Sequence, residues 1–196
     1  MNMTTENAIR ASAPSTIRLL TPGVWHVDPD HSEVTFRVKA MWGLITVSGR
    51  FKVLDGTIHV RESIALRGRL RAHASSLDTG IRMRDGHLRS ADFFDAEHHP
   101  YLEFSVQRLA DGGHGHVRIA GDLVIRGMAH PLEVEAMVRD AGDGAIEAAA
   151  QAMVERAAIG RSLKRGGVIK GPAHLAARIR FVRDEDTRTE TDDRRG

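Results

Sequence analysis

The chain has 196 residues with 28 basic and 26 acidic side chains, a formal charge of +2, and a length that suits one domain with tails. It contains no cysteine, which excludes disulfide scaffolds, thiolate metal sites and cysteine nucleophiles. The mild basic excess is no nucleic-acid footprint, and no apolar run reaches the roughly 18 residues of a transmembrane helix, so neither nucleic-acid binding nor stable membrane insertion is expected.

Residues 1–22 are Ser/Thr/Ala-rich without periodicity and read as a disordered tail. They hold no apolar h-region, so a cytoplasmic location is expected. From there the signal has period two. Val34, Phe36 and Val38 alternate with Glu33, Thr35, Arg37 and Lys39. The same pattern recurs with Leu66, Gly68 and Leu70 among arginines, then along Val117–Ile125, Leu132–Val138 and Leu175–Phe181. Strict alternation places one face in a core and one in water, as in antiparallel sheet. Strands are expected near 24–28, 31–39, 46–54, 56–73 (long and bent), 101–109, 115–126, 131–139, 145–155 and 173–182. Asp55-Gly56, Asp111-Gly112-Gly113, Arg126-Gly127, Gly142-Asp143-Gly144 and Gly166-Gly167 are turn signals between them. The alanine-rich stretch Ala145–Val154 suits a helix on propensity, but its place in a meander favours a strand. The last residues, 184–196, form a charged run and read as a second tail. Short strands at this spacing suit a sandwich or a closed barrel.

One segment breaks the rhythm. Leu77–Asp95 is polar and charged, then sets Phe93-Phe94 between Asp92 and Asp95. It reads as one or two short helices, with N-cap candidates at Ser75 to Asp78, Thr79 and Asp85. An insertion of this kind is either an active site or a cap on one end of the strands.

The inward positions are mid-sized, aromatics make up 5% of the chain, and Gly68 and Gly121 fall on apolar faces. Closing about eight strands leaves an interior just wide enough for side chains or one small ligand. The two glycines either leave interior room or mark bends. The sequence keeps both options open.

Eleven histidines invite a metal reading. His87, His98 and His99 cluster near Asp85, Asp92, Asp95 and Glu97, which would suit a metal-dependent hydrolase. Yet the segment has no HExxH or HxH pair on a regular element, so no metal site and no cofactor is expected. Ser32 lacks a Gly-x-Ser-x-Gly elbow and reads as a buried hydroxyl in a strand. Asp28-Pro29-Asp30-His31 reads as a turn into that strand. Arg161, Lys164, Arg165 and Lys170 are a basic stretch that either pairs with an anionic head group or is a solvated loop.

Several motifs together resemble the YceI-like family of polyisoprenoid-binding, lipocalin-like proteins. They are Trp25-His26-Val27-Asp28-Pro29-Asp30-His31-Ser32 with Val34-Thr35-Phe36-Arg37-Val38, Val47-Ser48-Gly49-Arg50-Phe51, and Ser76-Leu77-Asp78-Thr79-Gly80. Next come Arg84–Ser90, Asp92-Phe93-Phe94-Asp95, His99-Pro100 with Phe104, Gly121–Gly127 and Arg156–Gly160. The likeness spans about residues 23–182. Two departures are the lack of the usual secretion signal and Ala40-Met41-Trp42 in place of a common histidine after the first strand. The resemblance implies an all-β fold: an extended eight-stranded antiparallel lipocalin-like barrel with a short helical insertion, over residues 23–183. It implies a non-catalytic carrier of a polyisoprenoid or other long-chain apolar lipid, held in a tunnel by apolar burial. The expected lining is Phe36, Val38, Leu66, Leu70, Phe104, Leu123, Ile125, Val134, Met153 and Ile179. Trp42, Leu88, Phe93 and Phe94 are expected at the mouth or cap, with Asp85, His87, Arg89 and Asp92 as its polar framework. A metal hydrolase and a ligand-free stress-response barrel are the alternatives, and a homodimer is left open.

Overall fold

The computed structural model describes residues 19–40, 44–52, 54–61, 66–155 and 169–184, with only the backbone of 40 and 169–171. Ten strands are joined antiparallel: β1 Gly23–Ala40, β2 Ile45–Phe51, β3 Leu54–Val60, β4 Leu66–His73, β5 Leu77–Asp78, β6 Tyr101–Gly113, β7 His116–Ile125, β8 Met128–Gly142, β9 Ala145–Val154 and β10 Ile169–Arg183. Among the described residues one α-helix, α1 Arg82–Arg89, lies between β5 and β6.

These ten strands make eight positions in the wall. β1 has 18 residues and serves two neighbours on one side. Gly23–His26 pairs with β3 and Val34–Ala40 with β2, so β2 and β3 share one position. β5 adds two residues to β2, and pairing of β1 with β10 closes the barrel. Closure removes the exposed edges that an open sheet would leave.

The structure corrects three expectations. The stretches 24–28 and 31–39 are one strand, because Asp28–Ser32 is a register shift against β10 rather than a turn. There the Asp28 carboxylate is bonded to the His31 ring at 2.7 Å and accepts the Asp30 N–H at 3.2 Å. Ser32 is buried, its Oγ accepting the Arg180 N–H at 2.9 Å. Second, Asp55-Gly56 lies inside β3 rather than at a turn. Asp55 is pinned outward by Arg71 at 2.6 Å and His73 at 2.8 Å, while a Cβ on Gly56 would stand 2.5 Å from the Arg69 carbonyl oxygen. Third, β3 and β4 replace the long bent strand expected over 56–73. The alanine-rich stretch is the strand β9, its alanines pairing with β8 and β10.

One end of the barrel is filled. Trp25, Ile58, Val60, Leu66, Val117, Val138 and Phe181 are all buried there. Trp25 keeps its indole N–H satisfied by donating to the Thr21 carbonyl at 3.1 Å. At the other end β2 and β4 diverge, and residues 74–100 fill the gap.

Candidate functional site

The gap-filling segment is held by polar contacts on its outer side and apolar ones on its inner side. α1 begins at Ile81 with no side-chain cap, so none of the expected N-cap residues serves. Asp85 instead reaches back, accepting the Thr79 N–H at 2.9 Å and the Thr79 hydroxyl. Arg84 donates Nε to Thr79 Oγ1 at 2.8 Å and Nη2 to the Thr79 carbonyl at 2.9 Å. Arg89 donates to the Leu77 carbonyl. Thr79 is thus the hub of this end of the cap.

The far end is clamped by Arg126, in the β7–β8 turn. Arg126 and Gly127 both have positive φ, 51° and 74°, as a tight two-residue hairpin requires. Arg126 Nη1 donates to the carbonyls of Ala91 at 3.0 Å and Phe93 at 2.8 Å, and Nη2 lies 3.4 Å from Asp95. Asp95 is buried and also bonds His98 at 2.9 Å. The His98 bond holds the Asp95 carboxyl below the usual carboxylate range, aided by the positive charges of His98, Arg126 and His99 and opposed by burial. At the other edge, the bond from Lys52 and the Gly80 N–H lower Asp78 in the same way.

Beneath the cap is an apolar cavity of about 620 Å³. Its signature is a set of inward side chains that are not fully buried, among them Phe36, Val38, Leu70, Phe104 and Val134. They face an interior space rather than each other. Twelve of the fourteen expected residues line it: Phe36 and Val38 on β1, Leu66 and Leu70 on β4, Phe104 on β6, Leu123 and Ile125 on β7, Val134 on β8, Ile179 on β10, and Leu88, Phe93 and Phe94 in the cap. Leu66 and Ile179 are buried with the side chains of the filled end, and Leu123 and Ile125 with a second cluster beneath the cap. Phe94 meets Phe51 edge to face at 6.0 Å, and Phe93 meets the His87 ring at 4.7 Å.

Met153 is a correction. It points outward and is 58% exposed, because the inward residues of β9 are Ile146, Ala148, Ala150, Ala152 and Val154. Trp42, Arg161, Lys164 and Arg165 lie outside the described residues, and Lys170 has only its backbone described.

Part of the cavity wall is built from small residues whose register sequence reasoning missed. Ala150 pairs with Ala136 on β8 and with Ala177 on β10, so three alanines stand side by side across the wall. The inward glycines do not enlarge the cavity. A Cβ on Gly49 would meet the Phe36 ring at 2.5 Å, and one on Gly121 would meet Ser105 O at 2.2 Å and the Phe104 ring at 2.9 Å. These glycines make way for two rings, and the three alanines line the cavity. Thr79, Arg84, Asp95 and Arg126 were also missed as framework residues. Their partners lie 3 to 35 residues away, with no periodic signal to link them.

The histidines are not gathered for metal. Among the described residues no group of three or more His, Asp or Glu side chains is placed to hold a metal ion. His98 is engaged with Asp95 and His87 packs on Phe93.

Comparison with known proteins agrees with this architecture. The YceI-like domain family matches residues 25–181. Protein YceI of Escherichia coli O157:H7 is 33% identical over 115 residues, 58% of this chain and 59% of that protein. A UPF0312 protein of Vibrio campbellii is 30% identical over 115 residues, so the aligned part spans about three fifths of these curated relatives. Among solved structures, Burkholderia cenocepacia BcnA superposes with a TM-score of 0.68 at 20% identity, covering 79% of this chain and 98% of that one. A polyisoprenoid binding domain from Saccharophagus degradans superposes with a TM-score of 0.66 at 18% identity, covering 81% and 98%. At these identities the two structures speak for the fold alone. With its family match running from Trp25 to Phe181, across every strand of the closed wall, the chain belongs to the YceI-like family.

Proposed function

We propose that the protein is a non-catalytic carrier that holds a polyisoprenoid or another long-chain apolar lipid in its barrel. The observation that carries this reading is the 620 Å³ cavity with an almost purely hydrocarbon lining. Such a space binds by removing apolar surface from water, and each buried methylene contributes about 0.8 kcal/mol. It lies within the usual range of ligand pockets, about 300–1,000 Å³. At about 30 Å³ per water-sized group, it admits roughly twenty chain carbons. Family membership and the likeness to the polyisoprenoid binding domain of Saccharophagus degradans support the same class of ligand.

Organic extraction of the purified full chain, followed by mass spectrometry, tests this. The expected result is release of a chain lipid in near-stoichiometric amount, and rebinding of a C20 isoprenoid by the stripped protein. A stripped protein that binds no chain lipid of any length would overturn the reading.

A further inference from the structure

The open end of the barrel differs from its closed end in a way that storing a lipid does not require. Among the described residues, Leu44 and Met83 are the two most exposed large apolar side chains, at 84% and 85%. Ile81 is 51% and Ile45 45% exposed. Leu44 and Ile45 enter β2, and Ile81 and Met83 flank the start of α1. Both segments border the same cavity, since Ile45 lines it from one side and Arg84 and His87 from the other. The hairpin tips at the closed end, Asp111–Gly115 and Asp140–Gly144, are instead polar but for Ala141. A contiguous exposed apolar patch commonly marks an interaction surface.

Three exposed cations stand beside this rim, and Glu133 and Glu135 lie along the same outer groove as two of them. Arg37 and Lys39 on the outer face of β1 and Arg82 at the start of α1 are exposed, and none has a carboxylate partner among the described residues. Asp78, in the same region, is taken up by Lys52 at 2.8 Å and Arg50 at 3.8 Å. Asp92 and Glu97 stand on the other side of the cap, toward the β7–β8 turn, where His99 touches Gly127. Apolar side chains interleaved with unpaired cations are the make-up of a surface that lies in a headgroup layer. Anionic lipids attract such cations, and apolar side chains sink beneath them.

We propose that the β1–β2 and α1 half of the rim docks on a bilayer surface that carries anionic lipids, with the cavity mouth facing the membrane. Docking would let a chain slide between bilayer and cavity without crossing water. This goes beyond the carrier reading: that reading supplies its purpose, while the surface itself rests on exposure and charge.

Vesicle co-sedimentation of the full chain tests it. The probes are vesicles of phosphatidylcholine alone and of phosphatidylcholine with about a third phosphatidylglycerol. Binding is expected to the anionic vesicles, at least about tenfold stronger than to the neutral ones, and to fall as salt is raised. Lys39→Gln with Arg82→Gln should weaken it about twenty-fivefold, at roughly fivefold per cation. Leu44→Ser with Met83→Ser should weaken it by at least about tenfold. Met137→Ser, near the closed end and 47% exposed, should leave it unchanged. All these changes are at exposed positions, and a thermal melt checks that each variant folds. No binding to anionic vesicles, equal binding to neutral ones, or an equal loss in Met137→Ser would overturn the proposal. So would a dimer in sedimentation that Leu44→Ser with Met83→Ser splits, since the rim would then belong to a second copy. Lipid extraction is read separately, so an empty cavity with intact docking counts against the carrier reading alone.

Discussion

Ala150→Phe probes the cavity from its wall. Ala150 faces inward between Ala136 and Ala177, so a ring there projects into the void rather than into packed neighbours. The parent cavity admits roughly twenty chain carbons, counted at about 30 Å³ each. In a series of fatty acids or prenyl alcohols, affinity should rise about fourfold per methylene, at about 0.8 kcal/mol each, and level off near twenty carbons. The new ring adds about six carbons, so the plateau should fall to roughly fourteen, at one chain carbon displaced per ring carbon. A C20 ligand would then lose at most about 5 kcal/mol, some three orders of magnitude in Kd. The ligand-free protein should be at least as stable, because a ring filling a void gains contacts. Isothermal titration of the stripped protein with chains of 12 to 24 carbons measures the plateau, and a thermal melt measures stability. If Ala150→Phe bound C20 within about threefold of the parent, with the plateau unmoved, ligand would not occupy this cavity.

Four other outcomes follow from particular contacts. Gly121→Ala places a Cβ 2.2 Å from the Ser105 carbonyl oxygen, which belongs to the backbone and cannot swing away, so chemical denaturation should show a loss of about 1–3 kcal/mol or more. Gly86→Ala on α1 meets nothing within 4 Å, and the same assay should show a gain of about 0.4–1 kcal/mol. Arg126→Met removes the half-buried clamp on the cap and leaves the Asp95 carboxylate with less counter-charge. It should cost about 3 kcal/mol and speed ligand release in stopped-flow displacement. Asp95 gives the cap an acid limit. Its folded pKa lies below its ordinary 3.8, so its stabilising contribution is complete above that value and is lost as pH falls through the lower folded pKa. Hydrogen exchange over residues 82–99 should therefore quicken below about pH 4, and Asp95→Asn should show faster exchange at neutral pH without that acid step.

Much of the barrel could be read from the chain alone, because a strand facing core on one side and water on the other must alternate. Phe36 and Val38, Leu66 and Leu70, and Leu123 and Ile125 were placed on the inner face by parity, and the structure puts them there. Met153 was misplaced because β9 is written mostly in alanine, which marks neither face, so its parity could not be read until β8 and β10 lay beside it. Local signals also failed at Asp55-Gly56, where a turn dipeptide sits inside a strand. Arg71 and His73 on the next strand outweigh its turn preference there.

The Leu77–Asp95 segment divides the two kinds of information most clearly. Its composition determined that it interrupts the sheet, and its two phenylalanines that it has an apolar side. Only the tertiary structure decided what it closes. Thr79, Asp85 and Arg84 tie one end to β5, Arg126 ties the other from 35 residues away, and Phe93 and Phe94 are held over the void between those anchors. The sequence by itself also determined an interior made of hydrocarbon, through the alternation of apolar side chains. Whether that interior is filled or hollow depends on which small residues meet across strands. Ala136, Ala150 and Ala177 come into register on the cavity wall, a pairing between positions 14 and 27 residues apart that no local pattern encodes.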